Sequence, residues 1–215
     1  MTALLRKDLY ITGRQLRLLF IVALGLAFTP QFHAVGTIYL LALSMTLSQG
    51  SIASDSRSRW DQFAAMLPIP AWKIVLSKYL ITFLAALSMG CVACAVSYVQ
   101  HRFLDGSISV PLTVALLFTV LTLHAVFLPI IYRLGVEKAQ IILSSVCFGG
   151  AALLFAGLLM RNSGVIRFVE SVVWLTDRSA PVLIFGSAVL AAVSNVISFR
   201  LSVQFYANRR YGLYD

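Results

Sequence analysis

Charge is what this sequence has least of. Only 12% of its 215 residues are Asp, Glu, Lys or Arg, against roughly 25% in an ordinary soluble domain. That scarcity excludes a water-facing globular surface of normal composition. Cysteine is equally sparse. Cys91, Cys94 and Cys147 all fall inside apolar runs, where they read as small packing residues and not as a disulfide framework. Cys91-x-x-Cys94 lacks the His or acidic neighbours that a redox or metal motif would need, so no metal ligand is assigned. No repeat or low-complexity segment is present, and no polar stretch is long enough to fold alone as a soluble domain. No Gly-x-x-x-x-Gly-Lys-Ser/Thr run occurs in these residues, so no loop here is built to cradle ATP phosphates.

What is there is hydrophobic. Apolar residues make up 60% of the sequence, and six stretches approach the roughly 20 residues needed to cross about 30 Å of hydrocarbon as a helix. They run from about Arg17 to Phe32, Ala34 to Ala53, Ile74 to Tyr98, Pro111 to Tyr132, Ala139 to Met160 and Pro181 to Phe205. The apolar runs are continuous and do not alternate with period two, which excludes a β-barrel. The expected fold is an all-α integral membrane protein of six transmembrane helices, forming one membrane domain over residues 1–215. The run from Leu18 to Phe28 follows Arg14 and Arg17 like a secretory signal, but no small-x-small cleavage site follows it, so it reads as a retained first helix.

The formal net charge of +9 fits basic residues at helix ends and in cytoplasmic loops near anionic headgroups better than it fits a nucleic-acid partner. With the N-terminus inside, thirteen Lys and Arg fall on inner segments and four on outer ones. Both termini are therefore expected in the cytoplasm. Residues 1–16 set Leu5, Leu9 and Leu16 against Arg6, Lys7 and Arg14, the pattern of a short amphipathic helix on the inner surface.

The stretch DSRSRWDQFAAMLPIPAWKIVLSKY, from Asp55 to Tyr79, contains the cytoplasmic loop 55–73 between spans two and three. Ser58-x-x-Asp61 has the form of a capping box and predicts a helix starting near Arg59. Trp60, Phe63, Ala64 and Leu67 then share one face, with Arg59, Asp61 and Gln62 away from it. Pro68 and Pro70 end the helix after about two turns. So short an amphipathic helix is unstable alone, and its apolar face needs cover from the headgroup region, from the inner ends of the other spans, or from a groove on another protein.

WDQFAAMLPIPAWKIVLSKYL resembles the segment of type-2 ABC transporter permeases in which an aromatic residue, a Leu-Pro turn and a K-x-x-x-x-K-Y run lead into the third span. SFRLSVQFYANRRY, from Ser198 to Tyr211, is similar to the basic end of the sixth span in the small permeases of that family, including those of phenol-soluble-modulin exporters. The resemblance implies that the helix between spans two and three is a coupling helix seated in a groove of a cytoplasmic ATPase. Carried over, it implies a contact surface of Arg59, Trp60, Asp61, Phe63, Met66, Leu67 and Pro68. It further implies a half-transporter, with a second permease copy, two ATPase subunits that bind ATP and Mg, and no cofactor on this chain. The expected setting is the bacterial plasma membrane, and the expected cargo is hydrophobic or amphipathic, with peptides of the phenol-soluble-modulin type as one example.

His124 and Asn195 lie within spans four and six, where a polar group ties helices together or lines a pathway. Pro129 in span four marks either packing or a kink. Between spans five and six, residues 161–180 are too few to cross and too apolar to be solvated, which predicts an outer re-entrant or interfacial segment. Two other functions compete. An intramembrane enzyme would need a nucleophile and base or an acidic pair at membrane depth, but the central spans hold no Asp or Glu and Ser187 has no evident partner histidine. A passive immunity or scaffold protein has no positive signature.

Overall fold

A computed structural model describes residues 20–29, 33–58, 70–103, 109–142, 144–146, 149 and 163–210. Among these residues every regular element is helical. In chain order they are α1 (20–28), α2 (His33–Arg57), α3 (Ala71–Phe103), α4 (Val110–Leu134), α5 (136–142) and α6 (Ser163–Arg210).

Four stretches of these helices are long and apolar enough to cross a membrane: Val35–Arg57, Ala71–Phe103, Val110–Leu134 and Ser179–Asn208. They correspond to the expected spans two, three, four and six. Each begins or ends a few residues beyond its apolar run, because helices continue through the polar and aromatic residues of the interface. At the start of α3, Lys73 Nζ stands 5.5 Å from the centre of the Trp72 ring, and at the end of α4 the Arg133 guanidinium stands 5.8 Å from that of Phe205. Of the expected first span, residues 20–28 form α1, while most of the expected fifth span, residues 1–16 and the helix over 59–69 lie outside the described residues.

Residue pairings fix the directions of the helices. Thr37 meets Gln100 while Ser51 meets Lys78, so α2 and α3 are antiparallel. Ser97 meets Thr113, so α3 and α4 are antiparallel too. Leu121 meets Asn195 and Tyr132 meets Tyr206, which makes α4 and the second part of α6 parallel neighbours. One end of the bundle therefore collects the C-terminal ends of α2, α4 and α6 and the start of α3, and with them Arg57, Lys73, Lys78, Arg133 and Arg200. Arg102 lies at the other end. The first is called the basic end below.

Three details shape these elements. Gly135 ends α4 with φ 85°, a backbone that L side chains rarely adopt, and its N–H closes on the Ile131 carbonyl at 2.9 Å. Gly36 allows the closest helix approach, since a Cβ there would fall on the Ala27 backbone of α1. Within α6, Ser179 departs from helical geometry at φ −132°, ψ 32°. Pro181, two residues on, offers no N–H to the Asp177 carbonyl, and such a kink follows. Residues 163–178 are helical up to that point. Pro129, by contrast, is accommodated inside α4 without a non-helical residue.

The core falls into three clusters along the bundle. Ala23, Ala27, Leu40, Leu41, Leu43, Ala93 and Val96 fill the end away from the basic residues. Ala86, Leu121 and Ala191 bridge the middle. Ile52, Ile74, Val75, Tyr79, Leu128, Ile131, Tyr132, Ala139 and Tyr206 close the basic end. Small residues at the crossings let the backbones come together, as van der Waals packing in lipid requires.

Candidate functional site

The chemistry of this molecule concentrates at the basic end, in the stems on either side of residues 59–69. Helix α2 continues through Arg57. Ser58 then turns back on it, its N–H bonding the Ser54 carbonyl at 3.0 Å and its hydroxyl the Asp55 carbonyl at 3.2 Å. The hydroxyl expected to cap a following helix thus bonds the preceding one, while its expected partner Asp61 lies outside the described residues. On the other stem, Lys73 N–H bonds the Pro70 carbonyl at 3.0 Å and opens α3.

Between the stems sits a buried ion pair. Lys78 Nζ is 2.5 Å from Asp55 Oδ2 and donates to Ser51 Oγ at 2.8 Å. Asp55 is only 4% exposed and Lys78 only 6%. Asp55 faces α3 because it continues the buried stripe of α2, which runs through Thr37, Ser44, Ser48 and Ser51 at helical spacing. Ser44 and Ser48 satisfy themselves on the Leu41 and Met45 carbonyls, at 2.7 and 3.1 Å, so α2 buries polar side chains along its length at little cost. Beside the pair lies a small cavity lined from all the neighbouring elements, by Asp55 and Ser56 of α2, Lys78 of α3, Tyr132 of α4, Val136 of α5 and Tyr206 of α6.

The next residue along α3 extends the polar contacts to α6. Tyr79 Oη lies 2.5 Å from Ser198 Oγ and 2.9 Å from Ser202 Oγ, and its ring stands edge-on to Phe199 at 5.4 Å between centroids. Tyr132 and Tyr206 make a second edge-on pair at 5.7 Å. Such contacts fix geometry beyond what area burial alone would give.

Arg59, Trp60, Asp61, Phe63, Met66, Leu67 and Pro68 lie outside the described residues. Asn195 is buried, and its Nδ2 donates to the Leu121 carbonyl of α4 at 3.2 Å and to the Ala191 carbonyl of its own helix at 2.8 Å. His124 is 2% exposed. Its Nδ1 lies 2.8 Å from the Val120 carbonyl, and its Nε2 is buried with no hydrogen-bond partner. The two residues thus sit in different contacts of α4. Among the described residues no group of three His, Cys, Asp or Glu gathers as a metal site.

Sequence reasoning passed over Asp55, Lys78, Ser51, Tyr79 and Gln100. One signal was available: Lys78 is an ionisable residue inside an apolar run, and such a residue calls for a named partner.

The fold defines a multi-pass α-helical membrane protein with an ion pair, Asp55–Lys78, buried inside the bundle. Residues 3–207 match the family described as ABC-2 family transporter protein, so the chain belongs to that family. It is a membrane permease component of an ABC-type exporter, in a family that works with an ATPase subunit. No curated protein and no solved structure matches it.

Proposed function

We propose that this chain is one half of the membrane path of a bacterial plasma-membrane exporter, working as two copies with two cytoplasmic ATPase subunits that supply ATP and Mg. Its cargo is hydrophobic or amphipathic, and peptides of the phenol-soluble-modulin type are one candidate. The basic end faces the cytoplasm, in keeping with the retention of Lys and Arg on that side. Both termini lie there, six helices cross the membrane, and residues 161–180 form an outer re-entrant or interfacial segment.

The observation that carries this reading, beyond the family itself, is where the chain leaves and re-enters the bundle. α2 ends at Arg57 and α3 begins at Ala71, and an ion pair four residues before Arg59 holds the two stems together at the basic end. A segment with the apolar face of Trp60, Phe63 and Leu67 is thereby presented from a braced base, as a surface that docks on an ATPase must be.

The test is capture of the cognate ATPase by the purified permease. Trp60→Ala removes a central aromatic anchor and is expected to cost about 2 kcal/mol, roughly a thirtyfold loss of affinity. Phe63→Asp sets a charge against an apolar groove and is expected to abolish capture while membrane insertion stays normal. Wild-type affinity in both variants would place that face against lipid or the spans, and the docking assignment would fall.

A further inference from the structure

We infer that the Asp55–Lys78 pair is a mechanical joint, a pair of positioning residues that makes the two stems of the 59–69 segment move as one body and passes their displacement to α6. The inference rests on the docking reading of that segment and concerns what happens inward of it.

Stability alone does not account for the pair. Replacing a buried ion pair by apolar residues of similar volume is often neutral or stabilising, because two charges must be stripped of water to form it. Here the surroundings are Ile52, Ile74, Ile131 and Val136 together with Ser56 and the rings of Tyr132 and Tyr206, a largely apolar wall that would accept apolar side chains. What an ion pair supplies and an apolar contact does not is register. Apolar surfaces can slide by a fraction of a turn at small cost, whereas moving Lys78 away from Asp55 and Ser51 leaves charge in an apolar medium.

The location suits that property. Asp55 stands four residues before Arg59 and Lys78 eight after Pro70, so the pair closes the base of the hairpin. The cavity beside it is bordered by every other described element at this end, through Tyr132, Val136 and Tyr206. Adjacent to Lys78, Tyr79 is bonded to Ser198 and Ser202. A push on the stems therefore reaches α6 through two consecutive residues of α3. The link is two sets of side-chain contacts, Lys78 to α2 and Tyr79 to α6, joined by the backbone of one rigid helix.

The experiment uses the permease with its cognate ATPase in liposomes. A cysteine is introduced at Ser179, where α6 bends at the opposite end of the bundle, in a background without Cys91, Cys94 and Cys147. Its labelling rate by an impermeant maleimide is compared in nucleotide-free and vanadate-trapped complexes. In the otherwise unsubstituted chain the two rates are expected to differ by about fivefold or more, the lower range of allosteric coupling. The neutral pair Asp55→Leu with Lys78→Met, measured at an ATPase concentration that saturates it, should lose that difference. The exchanged pair Asp55→Lys with Lys78→Asp should regain it. An undiminished difference in the neutral pair overturns the inference, as does its loss in an exchanged pair that binds the ATPase normally, which decides the matter if the neutral pair does not insert. Failure of the docking reading is separately visible, as Trp60→Ala permease that captures the ATPase undiminished.

Discussion

At the end of the bundle away from the basic residues, α1, α2 and α3 meet through one neutral amide, whereas at the basic end α2 and α3 meet through an ion pair. Gln100 is fully buried. Its Nε2 donates to the Ala27 carbonyl at 2.6 Å, and its Oε1 accepts from Thr37 Oγ1 at 3.3 Å. That tie lies where Gly36 brings α2 onto Ala27 and where Ser97 and Thr113 bond at 2.7 Å. Close packing and neutral hydrogen bonds suit an anchor. The basic end instead combines charge, tyrosine hydroxyls and a small cavity. The same two helices are thus tied by a neutral hydrogen bond of 3.3 Å at one end and by an ion pair at the other, and only the second lies beside the segment expected to receive a partner.

The largest effect should come from halving the ion pair. Lys78→Met takes the cation away from the buried Asp55 carboxylate, and removing one partner of a buried pair costs about 3–5 kcal/mol. Unfolding of the purified permease by SDS titration from mild detergent reads this, and Asp55→Leu in the same chain should recover most of the loss. If the single and double variants are equally unstable, Lys78 contributes packing and not charge, and the contrast between the two ends dissolves.

Gln100→Leu should come next. It leaves the Ala27 carbonyl short of a donor in a buried setting, at about 1–3 kcal/mol for an unsatisfied polar group. The same titration measures it, and the nucleotide-dependent labelling at position 179 should persist, because Gln100 ties α1, α2 and α3 and lies outside the link from the ion pair to α6. A Gln100→Leu loss larger than that of Lys78→Met would reverse the order of the two ties.

Much of this fold was legible in the sequence, and the reasons differ by feature. Spans two, three, four and six announce themselves because crossing hydrocarbon imposes length and hydropathy on each helix separately. The gathering of Lys and Arg at one end is likewise a property of each loop in turn. Pairings are not. Asp55 and Lys78 are 23 positions apart in sequence, and Tyr79 lies 119 and 123 from its two serines. Whether they meet depends on how α2, α3 and α6 are rotated about their axes, which hydropathy does not specify. Alternating crossings already make α4 and the second part of α6 parallel, but the sequence does not announce that they lie side by side. The apolar run of span two stops at Ala53, which put Asp55 in the loop on paper. The helix goes on to Arg57 because Ser58 bonds back to Ser54 and Asp55.

The smallest expected effect bears on Asn195, which the sequence left between tying helices and lining a pathway. Its exposure of 7% and its bonds to Leu121 and Ala191 carbonyls give the amide nitrogen two acceptors within the protein. Along span six, however, only 17% of the residues are buried, against 56% along α2. Hydrogen bonds between membrane helices contribute about 0.6 kcal/mol on average, because the separated helices also find partners for their polar groups. Asn195→Leu should therefore lower stability by about that amount in the SDS titration while leaving ATPase capture and the labelling response intact. A variant of unchanged stability that lost the labelling response would move Asn195 from the helix contact to the moving surface of α6, and the division between an anchored α2 and an outward-facing α6 would have to be redrawn around it.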